Sequence, residues 1–303
     1  MAEDTSPVVP TEPLVRTDDF IQRELTQRLK NIEAQSDSHA ISFNGPLISG
    51  ADDIFRQLIE DLSNSQVGQK RLTVLLTTYG GQVEPVQRVA ETIRHFYNEV
   101  WFVVPNHAYS AGTVLVMSGD RIYMDYYSRL GPIDPQVLGA NGNWVPAIGY
   151  LRRWDELLTK ANNGTITTAE VQIMLGFDQA ELYQYEQATQ QSIELLKTWL
   201  AEYKFRDWSK TETRGENVTS DMKADRAEEI ASILSDADRW HSHGHGISKD
   251  VLYRDLNLRI DGLEEHPNLY ELVKQYDKLS ADYMRKMGAS VAAHAVASGL
   301  IMF

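Results

Sequence analysis

No cysteine occurs in the 303 residues, which excludes a disulfide framework, a thiolate metal site and a cysteine nucleophile, although it fixes no redox compartment by itself. Long apolar runs are missing too. No stretch reaches the roughly 20 apolar residues that a membrane-spanning helix needs, and the N-terminal MAEDTSPVVPTEPLVRTDDF lacks the basic-then-apolar order of a signal segment. Positive charge is the third scarcity: 29 Lys and Arg stand against 43 Asp and Glu, for a net charge of −14. That balance argues against nucleic acid or an anionic membrane surface as a partner. Together these absences point to a cytoplasmic protein with no membrane span. What is present, 42% hydrophobic and 24% charged residues, suffices for a substantial core in one large domain.

The N-terminal stretch is acidic and Pro-rich and reads as a mobile arm, followed by an exposed helix in DDFIQRELTQRLKNIEAQ. From there strands and helices alternate. HAISFN and RLTVLLT are apolar strands, the second uninterrupted as in a strand buried on both faces, and EVWFVV is another of the same kind. Between them ADDIFRQLIEDLSNS and VEPVQRVAETIRHFYN carry apolar residues at helical spacing. This order predicts an α/β protein with right-handed crossovers and a largely parallel sheet, whose ligands bind at the carboxyl ends of the strands. Long helical stretches follow, and the chain closes on the apolar ASVAAHAVASGLIMF, a candidate for a groove or subunit contact. The expected division is an arm and helix over 1–37, a main domain over 38–262 and a helical C-terminal extension over 263–303.

Two places in this frame carry chemistry. Gly80-Gly81 ends a buried strand, where a glycine pair lets the backbone approach a ligand and aim N–H groups into a cleft. Alone, such a pair is more often a plain turn, and no Gly-Lys-Ser/Thr follows to make a phosphate loop. Ser110, in PNHAYSAGTVLVM, follows a second strand and opens a short helix, where exposed N–H groups favour a developing negative charge. The competing role for a serine there is an N-cap, but Ala111 and Gly112 leave room for another backbone beside the hydroxyl.

The segments TTYGGQVEPVQRVAETIRHF, NHAYSAGTVLVMSGDRIYMDYYSRLGPIDPQ and AEEIASILSDADRWHSHGHGIS resemble the Clp/crotonase-fold serine peptidases, and among them the serine dehydrogenase proteinase group related to signal peptide peptidase A. The resemblance runs over roughly residues 38 to 262. It implies a Clp/crotonase-like fold with repeated β-β-α/βα units, Ser110 as nucleophile, and Gly80, Gly81 and Ala111 lining the oxyanion site. It also implies a peptide or protein substrate, a homo-oligomer, and no cofactor; an ATPase or regulatory partner is left open.

The base has more than one candidate, because peptidases of this superfamily use histidine or lysine. No histidine lies between Ser110 and His241, so the Clp spacing is broken. SHGHGIS matches the Thr-His-Asp-like segment of the serine dehydrogenase proteinase group at His243, with Gly244 in place of the acid, and GPIDPQ offers Asp134. A triad of Ser110, His243 and Asp134 would supply the needed groups, while Asp134 reads equally as a turn cap. Lys160, fifty residues beyond Ser110, resembles the lysine of a Ser-Lys dyad, although its setting DELLTKANNGT looks solvated. His241, His243 and His245 alternate as metal ligands can, yet no further ligand pattern accompanies them, so no metal is expected. His107 reads as a cleft or packing residue. Two rivals share the fold: a crotonase-like acyl-CoA enzyme, and a catalytically silent oligomeric scaffold.

Overall fold

The computed structural model describes residues 16–65, 68–133, 136–138, 144–242 and 244–303. Chain order is α1 (Thr17–Ser36), β1 (His39–Asn44), α2 (Ala51–Ser65), β2 (Arg71–Thr77), α3 (Val83–Phe96), β3 (Glu99–Val104), β4 (His107–Ala108), α4 (Ala111–Val116), β5 (Arg121–Met124) and β6 (Arg129–Leu130). It continues with β7 (Gln136–Leu138), β8 (Trp144–Pro146), α5 (Ala147–Asn162), α6 (Thr168–Leu175), α7 (Gln179–Trp199), α8 (Ser220–Ser235), α9 (Ala237–Trp240) and α10 (Lys249–Leu256). Last come β9 (Asp261–Gly262), α11 (Pro267–Met287), β10 (Ala292–Ala295) and β11 (Gly299–Met302).

Seven strands form the main sheet in the order β11-β10-β1-β2-β3-β5-β9, parallel from β1 to β9. Period-two alternation divides its side chains between two layers. Ile41, Phe43, Val74, Leu76, Phe102, Val104, Ile122 and Met124 pack with α2 and α3 on one face. Ala40, Leu75, Val103 and Tyr123 pack with α1 and α11 on the other. Because the strands step in one direction with crossovers of one hand, α2 and α3 fall on the same side, and the opposite face needs another cover.

That need explains three departures from the sequence reading. Helix α1 is not simply exposed: Leu25, Leu29 and Ile32 form a buried stripe at helical spacing against the second face. The C-terminal extension is helical only through α11, and β10 and β11 then form an antiparallel hairpin whose first strand pairs with β1. The packing therefore does not divide at 37 or at 262, since α1, α11 and the hairpin complete the layers around strands that begin at His39. Burying a leucine such as Leu29 on this face contributes about 2–5 kcal/mol against truncation to alanine.

A second, short ladder crosses the carboxyl ends of the parallel strands. Isolated bridges join Leu47 to Gly81 and Thr78 to Ala108, β4 pairs with β6, and Leu130 bridges to Ile247. Segments far apart in sequence are thus held side by side above the sheet. Among the described residues no helix is long and apolar enough to cross a membrane.

Candidate active site

Ser110 stands between β4 and α4 with φ 53° and ψ −121°, a region that costs a non-glycine residue of order 1–3 kcal/mol. The residue is 5% exposed. It occupies the N-cap position, but its side chain makes no cap hydrogen bond, so the capping role weighed from sequence is not the one it plays. Its carbonyl accepts from the N–H groups of Thr113 and Val114 at 2.8 and 3.2 Å. The strained turn is held by its neighbours: the Gly112 N–H donates to Tyr109 O at 2.8 Å. Thr113 Oγ1 lies 2.7 Å from Ala108 O and 2.9 Å from Gly131 O, and it accepts from the Gly131 N–H at 3.0 Å.

The small residues of this region have steric reasons. Gly80 has φ 101°, and a Cβ there would lie 2.7 Å from Tyr109 O and 2.8 Å from Ser110 Cβ. A Cβ on Gly112 would lie 2.4 Å from Thr78 Cγ2. The strand end before Gly81 is therefore pressed directly against the serine turn, an approach only glycine allows.

The three expected oxyanion positions differ. The Gly80 N–H donates inward to Thr78 Oγ1 at 3.0 Å, which corrects its expected role: Gly80 gives access, not a donor. Leu47 donates to Gly80 O at 2.9 Å and accepts from the Gln82 N–H at 2.8 Å. In that parallel bridge the N–H of the intervening Gly81 points away from Leu47, toward the side on which the 107–111 segment lies. Among the described residues neither the Gly81 N–H nor the Ala111 N–H has a hydrogen-bond partner. These two are the donors free to meet a negative oxygen. Thr78, which the sequence reading passed over, fixes this division by binding Gly80.

Asp134 and His243 lie outside the described residues. The chain beside each is anchored near Ser110, however. Ile133 donates to Leu234 O at 3.0 Å, and Leu130 and Ile247 exchange hydrogen bonds of 3.0 and 2.8 Å. Gly131 packs on Tyr109, the residue before Ser110, and Gly246 sits against Arg129 and the Tyr109 hydroxyl. Ser110 Oγ itself makes no hydrogen bond with a described residue.

Lys160 is elsewhere. Its ammonium is bound by Glu170 at the start of α6, where Glu170 also closes a capping box with Thr167. The Lys160 hydrogen bond, reinforced by those from Thr167, holds the Glu170 carboxyl down to about 2. A lysine whose side chain is 44% exposed and already paired with a carboxylate is the opposite of the desolvated, unpaired setting that a serine-activating lysine requires. His241 and His245 are exposed, with the His245 ring 5.3 Å from that of Trp240, and among the described residues no His, Asp and Glu converge as metal ligands.

His107 packs between Tyr79 and Tyr109, ring centroids 4.2 and 5.2 Å away. Its Nε2 is buried without a hydrogen-bond partner, and burial pushes the imidazole pKa down. Tyr79, 76% exposed, extends this aromatic wall to the rim beside Gly80.

A serine turn pressed on a glycine pair, with two N–H groups unpaired among the described residues at the carboxyl ends of parallel strands, is the arrangement of a ClpP-type serine hydrolase. The chain belongs to the ClpP-like SDH-type serine proteinases, whose family model matches residues 64–222. It is 28% identical over 147 residues to one uncharacterised protein of Methanocaldococcus jannaschii, covering 48% of this chain and 46% of that one. To a second from the same organism it is 24% identical over 100 residues, 33% of this chain and 32% of that one. The chain thus spans less than half the length of these curated relatives. Among solved structures it is similar to a mutant form of the 1510-N membrane-bound stomatin-specific protease, with a TM-score of 0.42 and 13% identity over 73% of this chain and 76% of that one. It is also similar to the ClpP catalytic domain from Plasmodium falciparum, with a TM-score of 0.29 and 10% identity over 40% and 63% of the two chains.

Proposed function

We propose that the chain hydrolyses peptide bonds through an acyl-enzyme on Ser110. The observation that carries this reading is the Ser110 turn: strained, free of capping duty, and pressed against Gly80. Ser110 Oγ attacks the scissile carbonyl carbon and its proton passes to the His243 imidazole, oriented by Asp134. The carbonyl oxygen becomes an oxyanion that accepts from the Gly81 and Ala111 N–H groups, each such donor lowering the barrier by about 2.7–4 kcal/mol. Collapse expels the amine, which takes the proton from His243, and water then attacks the ester by the same relay to release the acid and restore Ser110. Inclusion of Ser110 and Asp134 in the matched segment supports this assignment, while His243 lies beyond it.

The test is cleavage of fluorescein-labelled casein by wild type, Ser110→Ala, His243→Ala and Lys160→Ala. Loss of turnover in the first two variants with retention in the third supports the triad. Loss in Lys160→Ala with full activity in His243→Ala would overturn it in favour of a dyad. We further propose a closed homo-oligomer, as is common among ClpP-like folds; light scattering that returns only a monomer at micromolar concentration would contradict it.

A further inference from the structure

The apolar ASVAAHAVASGLIMF, a candidate subunit contact in the sequence, becomes β10 and β11, and β11 is one outer edge of the seven-stranded sheet. The two edges are unlike. At the far end β9 is a two-residue strand that carries the charged Asp261, and short, charged edges discourage further pairing. β11 has four residues, Gly-Leu-Ile-Met, with no charge and no proline, and the next residue, Phe303, is 60% exposed.

The register fixes which of its main-chain groups face outward. Val291 and Phe303 exchange both hydrogen bonds, at 2.9 and 3.2 Å, and in an antiparallel ladder such pairs alternate with unbonded ones. Ile301 and Gly299 therefore bond β10, while the N–H and C=O groups of Leu300 and Met302 point away from it. Among the described residues these outward groups have no partner. The side chains are equally incomplete: Leu300 and Met302 lie on the α1 layer and Ile301 on the α2 layer, each only half-buried.

Helix α1 borders this edge. Thr26 Oγ1 lies 3.2 Å from Nε2 of His294, the β10 residue paired with Leu300, and a cavity of about 610 Å³ opens between α1 and β11. Asp19 stands at one end of its α1 wall and Lys30 at the other, about three helical turns apart. Arg23 lies between them. Neither cation makes an ion pair with a described residue, and Lys30 acts on Glu33 through its charge alone.

We propose that β11 binds β11 of a second copy of this chain, antiparallel across a two-fold axis at Ile301, so that the two sheets become one. The inference rests on the homo-oligomer proposed above and not on the chemistry of Ser110. With Ile301 on the axis, Leu300 of each copy faces Met302 of the other, so every outward N–H meets an outward C=O. The cross-strand side-chain pairs are then apolar on both faces. The two α1 helices run antiparallel across the axis, which sets Asp19 of one toward Lys30 of the other. A two-fold contact requires such a self-complementary patch; an unrelated strand would satisfy the main chain but not this match of charges. Two copies of net charge −14 also repel least at a groove that holds two cations and one carboxylate.

The experiment is amide hydrogen exchange of the full chain, read by mass spectrometry on fragments covering 296–303, from nanomolar to high micromolar protein, with light scattering on the same samples. The Leu300 and Met302 amides are expected to gain protection as the scattered mass rises. Met302→Pro removes an outward donor and spares the β10 ladder; it and Lys30→Glu should each need at least tenfold more protein to assemble. Adding Asp19→Lys to Lys30→Glu should recover assembly, and Lys210→Glu, exposed between α7 and α8, should match wild type. Protection that does not change with concentration would give the edge to another segment of the same chain and overturn the contact. So would assembly without protection of these amides, unchanged assembly in Met302→Pro, no recovery in the double variant, or an equal loss in Lys210→Glu. A wild type that stays monomeric throughout would overturn the contact and the oligomer together, and leave labelling of Ser110 to decide the hydrolase reading.

Discussion

At the carboxyl ends of the parallel strands the polar groups that matter are main-chain ones, the N–H groups of Gly81 and Ala111, held by Thr78, Thr113 and the bridge to Leu47. At the amino ends they are side chains: Arg94, Asp120 and Arg206. The first end gains rigidity from close backbone contact and needs glycine and small residues to do so. The second gains it from ion pairs that must be complete, because a buried charge without its partner is costly. Substitutions at the two ends should therefore fail in different ways.

The largest stability effect falls at the charged end. Asp120→Ala leaves Arg94, whose side chain is only 10% exposed, without its main partner, and should cost about 3–5 kcal/mol in urea unfolding with little change in Ser110 reactivity. Loss of reactivity in proportion to stability would erase the contrast between the ends.

Next comes a pH effect beneath the carboxyl ends. Asp277 accepts from Asn106 Nδ2 at 3.3 Å, and burial, with the Asp125 charge adding to it, pushes its carboxyl up to about 6 from 3.8. The unfolded chain ionises it above 3.8, whereas the folded chain holds it protonated until about 6, so the group costs stability fully above pH 6 and not at all below 3.8. Asp277→Asn should therefore be more stable than wild type by about 3 kcal/mol at pH 7, a difference that shrinks toward zero at pH 4. A constant difference across that range would rule out the titration.

Gly80→Ala comes third. The positive φ and the approach to Ser110 should cost about 2 kcal/mol and, unlike Asp120→Ala, should abolish covalent labelling of Ser110 in the protein that remains folded. Smallest is Thr78→Val, which removes the acceptor of the Gly80 N–H and should cost about 1 kcal/mol, with slower peptide cleavage. A valine variant as active as wild type would show that the Gly80 bond does not position the turn.

The strand-helix alternation and the serine turn could be read in the sequence because both are local: RLTVLLT and EVWFVV are continuous apolar runs, and Ser-Ala-Gly sits at a strand end. What escaped was tertiary. The apolar positions Leu25, Leu29 and Ile32 are spread through a polar helix, so the need to cover the second sheet face was invisible until the crossovers placed α2 and α3 together. AAHA and GLIM are too short to declare a hairpin without β1 beside them. Gly80 and Gly81 look alike in sequence, and only the Thr78 hydroxyl, which takes the Gly80 N–H, tells them apart. Lys160 had a suggestive spacing, but Glu170, ten residues on, claims it.

The central claim is that Ser110 is an activated nucleophile. Its most direct test is labelling of wild type and Ser110→Ala with a fluorophosphonate probe, read by intact mass. The account predicts one adduct per chain in wild type and none in Ser110→Ala. An adduct that persists in Ser110→Ala, or none in folded wild type, would contradict it.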